Sequence, residues 1–256
     1  LGWSIPMARR GLRYFHNRCG ATLVPTAAQR QALEDAGYHR VSVLARGVDA
    51  NRYHPSRRDA DLRRQWGAKT NQPVALYVGR LASEKNIELL ASTMAEMKRA
   101  NPDLVQVLVG DGPARKTITR RLPNAIFTGF QSGEALARHY ASADMFIFPS
   151  LSETFGNVVP EAMASGLAVV AFDHAAAKEL ITHDVNGRLV SPGDEQGFIE
   201  AASELCGQPE LFARLGGEAR KRASSLSWSH IGDRFLAHLI QVQGARHAAT
   251  HTPSQI

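Results

Sequence analysis

Cysteine is almost absent: the 256-residue chain holds only Cys19 and Cys206. Two cysteines build neither a disulfide framework nor a zinc site, so both are expected to be buried small hydrophobes in a reducing compartment. Aromatics are scarce, at 7%. Arginine is spread widely rather than interleaved with them, which argues against nucleic-acid binding. No apolar run approaches the roughly 18 residues that a membrane span needs. Leu1 to Pro6 is too short and too mixed for a signal peptide, and a start at Leu1 rather than Met points to a truncated or processed protein. The chain has no Walker-type phosphate loop and no Gly-x-Ser-x-Gly elbow, and Gly110-Asp111-Gly112 lacks the third glycine of a dinucleotide fingerprint. What remains is ordinary for one or two soluble globular domains: 44% hydrophobic and 21% charged. The net charge of +6 permits an anionic partner without choosing among nucleic acid, a membrane surface and a phosphorylated ligand.

The apolar residues that are present follow a regular alternation. Residues 7–19 read as a helix with Ala8, Leu12, Phe15 and Cys19 on one stripe and Arg9, Arg13 and His16 on another. Strands are expected at 21–24 and 41–44, with a helix between them at 27–36. Residues 50–72 are polar and Arg-rich and read as a crossing segment with one short helix. From Pro73 onward, short apolar runs at 74–78, 105–109, 125–128, 145–148, 167–171 and 188–190 alternate with helical segments. Three helices close the chain, at 195–206, 209–224 and 228–243, before a frayed tail. Strands and helices alternating in this way imply right-handed βαβ units in a Rossmann-like parallel α/β sheet. Ligands of such sheets bind beyond the carboxyl ends of the strands, at a topological switch point.

The polar residues that follow the strands therefore carry the functional argument. After 74–78 come Gly79, Arg80 and Lys85, two cations at the entrance to a helix, a setting suited to a diphosphate. The plain alternative is a solvated basic loop. After 105–109, Gly110-Asp111-Gly112-Pro113 reads as a tight turn into a helix. After 145–148 comes the richest stretch, from Pro149 to Glu161, in which Glu153 lies on a loop and Glu161 in the first turn of a helix. Phe155-Gly156-Asn157 between them is able to turn backbone N–H groups toward a ligand. A carboxylate accepts two hydrogen bonds side by side, which fits a vicinal diol such as ribose; the plain alternative for Glu161 is a helix-dipole partner. Asp59-Ala60-Asp61 has the spacing of a metal-binding acidic pair, but it lies away from any strand end and reads as a solvated face. His247 and His251 fall in the tail.

Gly79-Arg80-Leu81 with Lys85, Gly110-Asp111-Gly112-Pro113, Thr128-Gly129-Phe130, and the run from Glu153-Thr154-Phe155-Gly156-Asn157-Val158-Val159-Pro160-Glu161 to Gly166 together resemble glycosyltransferase family 4, the glycosyl transferases group 1 domain. This is the nucleotide-sugar half of retaining GT-B enzymes. The resemblance is close over about residues 73 to 205, and the Glu-Thr-Phe-Gly-Asn-Val-Val form is most similar to the bacterial glycolipid branch of mannosyl and sulfoquinovosyl transferases. It implies that Arg80 and Lys85 bind the donor diphosphate and that Glu161 holds the ribose hydroxyls. Glu153 and the backbone from Phe155 to Val158, including Gly156 and Asn157, would face the sugar, and Gly129 and Phe130 would border the base. Glu153, Arg80 and Lys85 are the catalytic candidates. The resemblance implies no metal or other cofactor, a UDP-sugar or GDP-mannose donor, and a lipid or glycan acceptor. It further implies a cytoplasmic location, with a peripheral site on the inner face of an anionic membrane as its variant. Arg9, Arg10, Arg13 and Arg18 suit such a contact but read first as a solvated basic face.

The expected organisation is a remnant of an acceptor domain at 1–45, a donor domain at 46–226, a helix at 227–243 packing back toward the first domain, and a flexible tail at 244–256. Ile231, Phe235 and Leu239 would then present apolar surface. A chain with so little of the first domain is expected to bind nucleotide, to transfer no sugar alone and to self-associate. A non-catalytic nucleotide-sugar binding module would keep the same strand-end residues. A sugar-nucleotide epimerase of GT-B form would not keep the paired glutamates.

Overall fold

A computed structural model of the chain describes residues 5–250. It divides into two units: residues up to Gly47 together with those from Trp228 on, and Val48–Ser227.

The first unit contains α1 (Ile5–His16), β1 (Thr22–Val24), α2 (Ala27–Asp35), β2 (Val41–Val43) and α11 (Trp228–Thr250). Its two strands pair in parallel, Thr22 opposite Val41 and Val24 opposite Val43. Thr26 caps α2, its side chain accepting from the Gln29 N–H. Three expectations need correction here. Cys19 is only partly buried, one turn beyond the end of α1, whereas Cys206 is buried as expected. Ile231 is buried at 6% exposure, although Phe235 and Leu239 do stand exposed. The last helix does not stop at residue 243. It runs to Thr250, because Ala245, Ala248 and Ala249 are strong helix formers. His247 and His251 lie outside the residues whose side chains are described.

The second unit opens with the crossing segment and α3 (Ala60–Gln65) and then builds the main sheet. Its strands are β3 (Val74–Val78), β4 (Val105–Val109), β5 (Ile126–Gly129), β6 (Met145–Phe148), β7 (Ala168–Phe172) and β8 (Arg188–Val190). All pair in parallel, in the order β5-β4-β3-β6-β7-β8. Between and after them lie α4 (Ile87–Ala100), α5 (Arg115–Arg121), α6 (Gly133–Ala141), α7 (Val158–Ala164), α8 (Ala175–Leu180), α9 (Glu195–Cys206) and α10 (Pro209–Ser224). The runs VALYV, MFIF and AVVAF are buried at every position. Strands covered on both faces read as continuous apolar runs rather than as alternating ones. Helix α4 packs on α9, and α10 packs on both α7 and β7.

The arginines of the crossing segment have a structural task at the amino end of this sheet. Asp144, just before β6, accepts the Val74 N–H at 2.8 Å and pairs with Arg58 (2.8 Å) and Arg63 (3.3 Å). Arg63 is buried and also donates to the Ser142 and Gln72 carbonyls. Asp59 caps α3 through the Asp61 and Leu62 N–H groups and pairs with Arg138, while Asp61 pairs with Arg64. The acidic pair is thus engaged by the helix end and by arginines.

Candidate active site

The strand order reverses direction at β3. The chain leaves it for β4 and β5 on one side and returns to β6 on the other. Two loops flank this switch point. The β3–α4 loop carries Gly79, Arg80 and Lys85, and the β6–α7 loop carries Glu153 and the turn that leads to Glu161. The structure brings the two loops into contact. Lys85 Nζ lies 2.6 Å from Glu153 Oε1 and donates to the Ser152 carbonyl at 3.1 Å. Both side chains are largely buried, at 20% and 14% exposure. Ser150 Oγ donates to the same glutamate oxygen at 2.9 Å. An ammonium has three N–H donors, so Lys85 keeps one for a ligand beyond these two partners. Arg80 is far more open and pairs with Glu84 at 3.2 Å. Its backbone is fixed from below by the Tyr77 hydroxyl, which donates to the Arg80 carbonyl.

Neighbouring strand ends are laced together. The Gly79 N–H bonds the Val109 carbonyl, the Leu81 N–H bonds the Asp111 carbonyl, and the Gly110 N–H bonds the Gly129 carbonyl. A Cβ on Gly110 would collide with the Gly79 carbonyl, and one on Gly79 would come within 2.7 Å of the Tyr77 hydroxyl. The glycines at these ends are required by protein neighbours, which gives Gly79 a packing reason. Gly129 closes β5, and Phe130 beyond it is 79% exposed, two strands from β3.

Phe155 points its ring into the core at 2% exposure, so only its backbone is left to a ligand. Its carbonyl accepts the Ala176 N–H at 2.8 Å. Gly156 turns the chain at φ +90, a conformation that favours glycine, and Asn157 and Val158 then open α7. One turn on, Glu161 is partly buried and receives the Tyr140 hydroxyl on Oε2 at 3.0 Å. The ring of Tyr53 packs edge to face on Tyr140, centroids 5.6 Å apart. Burial pushes the Glu161 pKa above the ordinary carboxylate range; the Tyr140 hydrogen bond and the Arg52 charge oppose that rise. Burial thus acts on the carboxylate that the resemblance assigns to a diol.

Sequence reasoning missed four groups that support the site: Tyr53, Tyr140, Ser150 and Arg220. Arg220, on α10, donates from one terminal nitrogen to the carbonyls of Ala50, Tyr53 and Ala164. Ser150 sits in the Pro149–Glu161 stretch and was within reach of sequence reading. The others are distant in sequence and carried no motif. Among the described residues, no group of three or more His, Cys, Asp or Glu is arranged to hold a metal ion, and no helix is long and apolar enough to cross a membrane.

A six-stranded parallel α/β sheet of this order is that of the C-terminal half of a GT-B glycosyltransferase. The chain belongs to the glycosyl transferases group 1 family, whose match spans residues 59–222. It is 36% identical over 249 residues to the GDP-mannose-dependent alpha-mannosyltransferase of Mycobacterium tuberculosis, covering 95% of this chain and 64% of that one. It is 34% identical over 235 residues to the sulfoquinovosyl transferase SQD2 of Arabidopsis thaliana, covering 88% and 44%. The Anabaena protein Alr3699/HepE, solved in complex with UDP, superposes with a TM-score of 0.83 at 25% identity, covering 93% of this chain and 68% of that one. The chain thus spans only part of the length of the relatives it matches.

Proposed function

We propose that the second unit binds a nucleoside-diphosphate sugar and serves the transfer of its glycosyl group, with retention of anomeric configuration, to a lipid or glycan acceptor. Arg80 and Lys85 neutralise the diphosphate without a metal ion. Glu161 accepts the ribose diol, Glu153 and the Phe155–Val158 backbone face the sugar, and Gly129 and Phe130 border the base. The bond from the anomeric carbon to the diphosphate oxygen breaks, negative charge grows on the leaving diphosphate, and the acceptor oxygen bonds the same face of the sugar as its proton passes to the departing diphosphate oxygen. Cations held in place before reaction stabilise that charge, and removal of one such donor typically costs about 10²–10³ in rate. The single observation that carries this reading is the Lys85–Glu153 pair joining the two loops across the switch point. Similarity to GDP-mannose-dependent relatives favours mannose as the sugar, and the likeness to a structure holding UDP keeps the uridine donor in view.

Titration calorimetry with GDP and UDP tests the division of roles. Both the presence and the absence of EDTA should leave binding unchanged. Glu161→Ala should weaken nucleoside diphosphate binding by about 1.5–3 kcal/mol, the worth of a hydrogen bond to a charged group. Glu153→Gln, which keeps an oxygen acceptor for Lys85, should leave it nearly intact and act only on the intact sugar donor. Equal losses for the plain nucleotide in both variants would reject this assignment.

A further inference from the structure

Glu153 is held by two donors that differ in kind. Lys85 Nζ, from the β3–α4 loop, lies 2.6 Å from Oε1 and brings a charge. Ser150 Oγ, from the start of the β6–α7 loop, donates to the same oxygen at 2.9 Å and brings none. Both donors take Oε1, which leaves Oε2 to a ligand.

The loop around this glutamate is fixed on both sides of it. Ser150 follows β6 by two residues and is buried at 4% exposure. Beyond Glu153, the Phe155 carbonyl accepts the Ala176 N–H at 2.8 Å. The Glu153 side chain lies along the turn that follows: a Cβ on Gly156 would meet its Cγ at 3.5 Å and its carboxyl carbon at 3.8 Å. Glu153 and the backbone assigned to the sugar are therefore neighbours on one surface.

In the proposed donor reading Lys85 also neutralises the diphosphate, so two anions draw on one ammonium. The Lys85 hold on Glu153 is then the one that ligand binding weakens. Ser150 meets no such competition. A hydroxyl has a single O–H to donate, and this one is buried and committed to Oε1. We propose that Ser150 is a positioning residue of the sugar subsite: its hydroxyl keeps Glu153 Oε1 in place when the diphosphate draws on Lys85, so that Oε2 stays presented to a hydroxyl of the donor sugar. A hydrogen bond to an ionised acceptor is stronger than a neutral one, which suits a single small donor to the task.

This role rests on the proposed donor reading, and Ser150→Ala separates the two. The variant removes one oxygen and leaves the Lys85–Glu153 pair in place. Calorimetry compares GDP with GDP-mannose, and UDP with UDP-glucose, on the wild-type chain, on Ser150→Ala, on Glu153→Gln and on the double variant. Ser150→Ala is expected to bind the plain nucleotides as the wild type does and to keep its thermal midpoint. The affinity for the sugar nucleotide relative to the plain one should fall roughly 3- to 10-fold, the net worth of one hydrogen bond. Glu153→Gln should lower the same ratio, and adding Ser150→Ala to it should cost little more, because the serine acts through the glutamate. A double-mutant cycle isolates that coupling. Additive losses, an unchanged ratio, or equal weakening of plain and sugar nucleotides with a lowered midpoint would overturn the proposal and leave the donor reading standing. A wild-type chain that binds none of the four nucleotides would overturn the donor reading and the proposal with it.

Discussion

Glu161 keeps a charge where charge is costly, and its chemistry and its effect on stability pull in opposite directions. Burial raises its pKa above the unfolded value. In the window between those two values the folded state holds a proton that the unfolded state has lost, so stability falls as pH rises through it. Below the window the penalty is absent; above it the penalty is complete. Glu161→Gln keeps the shape and removes the charge. It is expected to raise the thermal midpoint at pH 7.5, with the gain shrinking as pH falls toward 4, and to weaken nucleoside diphosphate binding. Thermal scans across that range check it, and a variant less stable than the parent at pH 7.5 would contradict it. At this scale the two glutamates were legible, because they lie in one continuous motif after one strand. Their supports were not. Tyr53 and Tyr140 are both far from the Pro149–Glu161 stretch, and a tyrosine in a polar crossing segment looks like any half-buried aromatic until the fold places it beside a carboxylate.

Among the elements, burial separates two kinds of ion pair that look alike in sequence. Asp144 accepts from Arg58, Arg63 and the Val74 N–H at the amino ends of β3 and β6, with Arg63 itself buried. Removing one partner of a buried pair leaves the other charge uncompensated, at a cost of about 3–5 kcal/mol. Asp144→Ala should therefore destabilise the chain by about 3 kcal/mol in urea unfolding. Asp61→Ala, which breaks an open pair with Arg64, should change little, as is usual for surface pairs. Equal effects would show that Asp144 is not the anchor described. The strands were readable because their apolar runs are unbroken, and β3, β4, β6 and β8 match the expected spans residue for residue. Element ends were harder to read. The tail after residue 243 looked polar and small, yet alanines at helical positions extend α11 to Thr250. The Arg-rich stretch looked featureless because its partner, Asp144, is some eighty residues away.

For the molecule as a whole, the chemistry gathers on one unit. The main sheet, its switch point and every proposed donor-binding residue lie between Val48 and Ser227. The other unit offers a two-stranded sheet with α1, α2 and α11. The curated mannosyltransferase relatives are longer, the chain spanning 55% to 64% of their lengths. The proposed donor site lies at the carboxyl ends of β3 and β6. The most direct test is a crystal structure of the chain soaked with GDP or UDP. The diphosphate is expected between Arg80 and Lys85 and the ribose hydroxyls on Glu161, with Tyr140 still bonded behind it. A nucleotide bound elsewhere, for instance in the groove lined by Trp66, Thr128 and His139, with Glu161 untouched, would contradict it.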